Sequence, residues 1–227
     1  MTIAIIPARG GSKRLPRKNI LPLKGRPMLS YPVAAAQKSG LFDAVIVSTE
    51  DEEIARIAEA EGADVFERPR NIATDKAGVV DVCLHALDIM QARGFDPEFF
   101  CCIYATAVFL MPEDLIQSHA MLTRPSQADF VMGVSEYPIH PYKAMRENED
   151  GFLIPHWPEE ILKKGQAFPR FLASNGTLYW ARTDVFERTK LFYGENLRGY
   201  EVPPDRAIDI DTPGDYERAC KRALSEL

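Results

Sequence analysis

Two groups of residues have types and spacing suited to chemistry. The first is the stretch Ile6 to Ile20, IPARGGSKRLPRKNI, where Arg9, Lys13, Arg14, Arg17 and Lys18 stand around the pair Gly10-Gly11 with no acidic residue among them. Adjacent glycines let backbone N–H groups approach an anion and basic side chains neutralise it, so this stretch reads as a phosphate-binding loop. The second is Asp209-Ile210-Asp211. At strand spacing both carboxylates project from one face, the geometry for gripping a single hard cation with oxygen ligands. The same tripeptide also reads as a solvated strand end in which Asp211 serves the following helix.

The familiar glycine-rich phosphate motifs are absent. A Walker loop needs a second glycine five residues after the first, then Lys and Ser or Thr, whereas Gly10 and Gly11 are followed at that distance by Leu15 and Pro16. The dinucleotide pattern G-x-G-x-x-G is missing as well. Charge supports a local anion site all the same: the chain is −6 overall, yet its first acidic residue is Asp43, so residues 1–42 carry +8 and the remainder −14. A concentrated basic loop in an acidic chain suits a small polyanion, while a nucleic-acid binder would show a wider basic face.

These loops need a scaffold. With 227 residues, 46% hydrophobic and 26% charged, the chain has the composition of one α/β domain spanning 1–227. TIAIIP, AVIVST, ADVF, FFCCIYAT and DFVMGVS read as strands, most of them apolar throughout, as parallel strands covered on both faces are. Between them DEEIARIAEAEG and GVVDVCLHALDIMQARG have helical periodicity. GTLYWAR and RAIDID resume the alternation, and Thr212, Pro213 and Asp215 open a final helix. From 136 to about 170 the rhythm breaks into a proline- and aromatic-rich excursion, for which a dimer partner is the simplest support. Cys83, Cys101, Cys102 and Cys220 form no C-x-x-C pair and read as reduced thiols. Without a signal-peptide pattern or an apolar run of membrane-spanning length, the expectation is a cytoplasmic protein with no membrane partner.

IPARGGSKRLPRKNI resembles, nearly residue for residue, the N-terminal motif of the acylneuraminate cytidylyltransferase family, whose members activate nine-carbon sugar acids. SGLFDAVIVSTEDEEIA, GADVFERP, YATAVF, NGTLYWAR and AIDIDTPGDY resemble further blocks of that family in the family's order. The resemblance implies a three-layer, Rossmann-like nucleotidyltransferase fold with a mostly parallel sheet and a small dimerisation excursion. It implies CTP and a nonulosonic acid as substrates, Mg2+ as cofactor and a homodimer. By the same resemblance Arg9 and Lys13 are phosphate ligands, and the backbone of Gly10, Gly11 and Ser12 lines the triphosphate. Lys18 and Asn19 lie near the reacting phosphate, and Asp209 and Asp211 hold the metal. Ala8, Arg68 and Asp75 select the base, although Gly78 and Val79 stand where the sialic acid enzymes place small hydroxyl residues. Arg14 and Arg17 have no assigned role and read equally as solvated.

Sugar-site positions carried over from the family are Tyr104, Thr106, Asn175, Tyr179 and Phe192, with Lys143 and Lys164 of the excursion for the acceptor carboxylate. Tyr-Ala-Thr-Ala at 104–107 and the pair Tyr179-Trp180 are closer to pseudaminic acid enzymes, while Asn175-Gly176 is closer to the sialic and legionaminic branch. Kdo and methylerythritol-phosphate nucleotidyltransferases share a basic loop, but the Kdo loop is shorter and lacks the Gly-Gly pair. A catalytically silent protein of this fold is a further reading, against which intact Arg9, Lys13, Asp209 and Asp211 argue.

Overall fold

The computed structural model describes residues 1–74, 77–123 and 128–225. The chain runs through β1 (Thr2–Pro7), β2 (Pro22–Leu23), β3 (Arg26–Pro27), α1 (Ser30–Ser39), β4 (Ala44–Thr49), α2 (Glu52–Ala60), β5 (Asp64–Glu67), α3 (Val79–Ala92), β6 (Phe99–Ile103) and α4 (Pro112–Thr123). It continues with β7 (Phe130–Glu136), β8 (Met145–Glu147), β9 (Leu153–Pro155), α5 (Pro158–Ile161), β10 (Leu172–Arg182), α6 (Thr183–Thr189), β11 (Leu197–Glu201) and α7 (Pro213–Leu224). Seven strands form the central sheet in the order β11-β7-β10-β6-β1-β4-β5. All run in one direction except β10, which is antiparallel to both β6 and β7.

Apolar side chains on both faces of the inner strands account for the three layers. Successive side chains of a strand point to opposite sides. Ala4, Ile6, Cys101 and Ile103 therefore pack with residues of α1, α2 and α4, while Ile3, Ile5, Phe100 and Cys102 pack with those of α3 and α6. Trp180 is fully buried on the first face, and its Nε1 donates to Ser118 Oγ at 2.8 Å. Asp51 caps α2 by accepting from the N–H groups of Glu53 and Ile54, each at 3.0 Å. A third cluster of Leu15, Leu23, Met28, Phe109, Ile210, Ala219 and Ala223 holds α7 against the chain's N-terminal loops. No helix among the described residues is long and apolar enough to cross a membrane.

Several sequence expectations need correction. RAIDID is irregular chain with no sheet partner; the buried Ile210, and not a strand, orients its two aspartates. The strand of the central sheet missing from the sequence reading is β11, LRGYE, an edge strand whose charged residues and glycine mask it. Phe192 is a core residue, 4% exposed, against Phe100, Phe186 and Tyr179. The β6 segment stops at Ile103, after which the Tyr104 N–H donates to Thr177 O at 3.0 Å. In the excursion, for whose aromatics a dimer partner was the expected support, Phe168 already packs on His140 and Tyr142, with ring centroids 4.5 and 5.5 Å away. Phe152, at 70% exposed, and Leu162, at 86%, do stand in solvent.

A buried ion pair braces the loops between β6 and α7. Arg206 Nη1 and Nη2 meet Asp114 Oδ2 and Oδ1 at 2.5 and 2.9 Å, Tyr200 donates to Oδ1 at 2.9 Å, and Asp114 caps α4 through the Met111 N–H at 2.8 Å. Burial pushes the Asp114 carboxyl up, but Arg206 and the other donors outweigh it and leave the group below its ordinary value. A carboxyl depressed by folding contributes stability above its unfolded pKa and loses it as pH falls through the folded value, here below about pH 4. Arg206→Leu leaves Asp114 buried and unpaired, so urea unfolding at pH 7 should show a loss of about 3–5 kcal/mol. That penalty should shrink on acidification as Asp114 takes up a proton.

Candidate active site

The loop after β1 is built by contacts with the start of α2. The Ala8 N–H donates to Ser48 O at 3.0 Å and the Gly10 N–H to Glu50 Oε1 at 2.8 Å. A Cβ on Gly10 would come 2.4 Å from Asp51 Oδ2, so residue 10 must be glycine for the loop to dock, whereas a Cβ on Gly11 would meet nothing within 4 Å. Arg17, at a left-handed φ of 56°, turns its guanidinium onto Asp51 and Glu53. Burial alone would lift the Asp51 carboxyl, but the Arg17 hydrogen bond is the larger effect and lowers it. Asn19 closes the loop, its Nδ2 donating to Arg9 O at 2.9 Å.

This loop forms one wall of a cleft of about 510 Å³ at the carboxyl ends of β1, β5 and β6. Ligands of open α/β sheets bind on that side. Arg9, Lys13, Arg14, Lys18 and Arg68 line the cleft, and among the described residues Asp211 is the one carboxylate in the lining. Ser12, Asn19, Tyr104 and Thr106 also line it, as do Gly78 and Val79. Arg68 is 4% exposed and donates to Ser48 O at 2.6 Å and Ser48 Oγ at 3.3 Å. Its burial pulls its pKa down, while the charge of Glu50 acts the other way. Glu50 therefore serves two neighbours, Gly10 and Arg68, and the sequence reading missed it; the acidic run directly after an apolar strand was the available signal.

Asp211 forms the opposite wall. Lys18 Nζ reaches its Oδ1 at 2.6 Å and Arg14 Nη2 its Oδ2 at 2.5 Å. Burial alone would raise this carboxyl, and the two cations bring it below its ordinary value. Asp215 accepts from the Asp211 N–H at 3.1 Å and from Thr212 N–H at 2.8 Å, which makes the capping box of α7 the mount for Asp211. Ile210, fully buried, places Asp209 on the same outward side. Partial desolvation first, then the charge of Asp211, raises the Asp209 carboxyl. Gly176, at φ +67°, brings the bulge of β10 beside it: a Cβ there would be 3.5 Å from Asp209 Cγ.

The remaining expected residues are spread over several positions. Tyr179 lies behind Tyr104, ring centroids 5.6 Å apart, and its hydroxyl bonds Ser174 Oγ. Asn175 lines a second cavity of about 560 Å³ with Ser135, Glu136, Tyr137 and Ser174, its Oδ1 accepting from Thr177 Oγ1 at 2.6 Å. Lys143 and Lys164 are exposed on the excursion and line neither cavity. Ala8 is buried beneath the loop. Asp75 lies outside the described residues. Arg14, left without a role in the sequence, proves to be one of the two cations on Asp211.

No group of three or more His, Cys, Asp or Glu among the described residues is arranged to hold a metal. Asp211 in the basic cleft, with Asp209 two residues away and feeling its charge, nevertheless suits a hard divalent cation that takes its other ligands from phosphate and water. Cations converging where the parallel strands end, with the Asp211 carboxylate opposite, are the arrangement of a nucleotidyltransferase. Residues 3–201 match the cytidylyltransferase family model, and the chain belongs to that family of CTP-dependent enzymes. It is 32% identical to the pseudaminic acid cytidylyltransferase of Campylobacter jejuni subsp. jejuni serotype O:2, over 96% of this chain and 94% of that one. Identity is also 32% with the N-acylneuraminate cytidylyltransferase of Escherichia coli O18:K1:H7, over 96% of this chain but 51% of the longer relative. The solved structure of CMP:2-keto-3-deoxy-manno-octonic acid synthetase complexed with CTP shares the fold, with a TM-score of 0.71 at 20% identity over 100% of this chain and 99% of that one.

The two glycines separate packing from ligand approach. Gly10→Ala should cost about 1–3 kcal/mol in thermal or urea unfolding, because Asp51 must shift from both the α2 cap and Arg17. Its affinity for CTP should fall with it, whereas Gly11→Ala should unfold within about 0.5 kcal/mol of the native chain.

Proposed function

We propose that the protein transfers CMP from CTP to the anomeric hydroxyl of a nine-carbon α-keto acid sugar, with pseudaminic acid as the favoured acceptor. The observation that carries this reading is the convergence of Arg9, Lys13, Arg14, Lys18 and Arg68 on one cleft that ends at Asp211. The hydroxyl oxygen attacks the α-phosphorus, the bond from that phosphorus to the bridging oxygen breaks, and pyrophosphate leaves with the electron pair. Arg9 and Lys13 offset phosphate charge, and Lys18 stands between Asp211 and the cleft, where charge builds up on the equatorial oxygens. Asp209 and Asp211 would hold Mg2+, which when bound neutralises phosphate charge and lowers the pKa of the attacking hydroxyl.

The pseudaminic assignment is supported by the Campylobacter relative and by Tyr104-Ala105-Thr106-Ala107. Trp180 is wholly buried, so it acts on the sugar only through the placing of Tyr179. Sialic or legionaminic acid is the second reading, favoured by Asn175-Gly176 and by the equal identity to the Escherichia relative. We further propose that residues 1–227 act as one domain in a cytoplasmic homodimer. The excursion at 136–170 would be the arm, since Ile139, Phe152, Leu153 and Leu162 stand exposed there, and Lys164 or Lys143 would reach the partner's acceptor carboxylate.

Pyrophosphate release from CTP, Mg2+ and a panel of nonulosonic acids tests the reaction and ranks the sugars. Silence with every acid refutes it, and equal rates with ATP, GTP and UTP remove cytidine selection. Asp209→Ala and Asp211→Ala should each lower kcat by roughly a hundredfold while leaving the circular dichroism spectrum unchanged. For the arm, dilution below the dimer dissociation constant should reduce specific activity, and Lys164→Ala should raise KM for the sugar with KM for CTP unaltered. A fully active monomer in sedimentation rules the arm out.

A further inference from the structure

Both carboxylate oxygens of Asp211 are taken by cations from the loop after β1: Oδ1 by Lys18 Nζ at 2.6 Å and Oδ2 by Arg14 Nη2 at 2.5 Å. The carboxylate itself has little freedom to turn away. Its backbone N–H is held by Asp215 Oδ2 at 3.1 Å, and the preceding Ile210 is fully buried in the third core cluster. The cations are the movable side of the contact. The Arg14 side chain is 67% exposed and that of Lys18 20%, and both line the same cleft as Arg9 and Lys13. Turning either side chain from Asp211 toward an anion in that cleft needs rotamer changes and no movement of the fold.

We propose that Arg14 and Lys18 form an exchangeable lock on Asp211, released when the triphosphate draws them away, so that the divalent cation enters together with the nucleotide and not before it. This rests on the reading that Asp209 and Asp211 are the metal ligands. A metal ion arriving alone must displace two cations from the oxygens it needs, and like charges a few ångströms apart exclude one another. A triphosphate carries about four negative charges against the single one of Asp211, so it attracts both side chains more strongly and leaves the carboxylate open. Arg14 is thus a positioning residue acting through Asp211, and the lock gives it a purpose that the phosphate loop alone does not. It also keeps a divalent ion from settling on the carboxylates ahead of the substrate whose charge it must offset.

The test is Mn2+ binding in the absence of nucleotide, followed through the electron paramagnetic resonance signal of the free ion. The Arg14→Gln/Lys18→Gln variant should bind Mn2+ about tenfold more tightly than the native chain, because two partly exposed ion pairs no longer compete. The same variant should bind metal-free CTP more weakly. A merely structural role would not move the two affinities in opposite directions. Adding Asp211→Asn should abolish the gain in Mn2+ affinity. Equal, Asp211-dependent affinity in native and double-variant chains overturns the lock and leaves the metal reading standing. Absence of Asp211-dependent Mn2+ binding in every form overturns both, while pyrophosphate release from CTP reports on the reaction separately.

Discussion

Asp211 takes one cation on each carboxylate oxygen from a loop 193 residues earlier in sequence, and the rest of the site is arranged around that closure. Two partly exposed ion pairs are too weak to hold the ends of a chain together. The third core cluster supplies the force, burying Leu15, Leu23, Ile210 and Ala219 between the N-terminal loops and α7. Tyr216 adds a hydrogen bond to Pro22 O across the same seam. Apolar burial sets the distance between the loop and the aspartates, and the charged groups use the distance so set.

Charge pairing holds three of the five loop cations in this acidic protein. Arg17 is neutralised by Asp51 and Glu53, Lys18 and Arg14 share Asp211, and outside the loop buried Arg68 sits in the field of Glu50. Asp51 meets several demands at once: it caps α2, binds Arg17 and sets how closely Gly10 approaches. The loop backbone is therefore preorganised by the helix it packs on, and an arriving anion asks only for side-chain rotation. Arg17, which has the same charge as its neighbours, is consumed by structure and does not line the cleft.

The single reversed strand supplies the far side of the site. Because β10 runs antiparallel between β6 and β7, its residues cross the carboxyl edge in the opposite sense, and its bulge delivers Gly176 beside Asp209. Its regular half places Tyr179 behind Tyr104 and sinks Trp180 into the core. The second cavity opens along this bulge, lined by Ser135, Ser174 and Asn175.

The order of strands and helices was legible in the sequence because apolar runs buried on both faces and capped amphipathic helices are local patterns. β1, β4, β6, β7, α2, α3 and α7 carry them plainly. The gathering of cations in the loop after β1 was legible as well, since the basic residues and the glycine pair are contiguous in sequence. What tertiary structure alone decided is which partner each group would have. Arg14 and Arg17 look alike in sequence, yet one faces Asp211 and the other Asp51. Phe192, carried over from the family as a sugar-site position, is instead packed among Phe100 and Phe186. Asp114, Tyr200 and Arg206 carry no shared motif, because residues 86 and 92 positions apart meet only once the sheet has brought their loops together. Local patterns report what a residue is able to do, and burial and charge pairing between distant segments select which of those capacities it exercises.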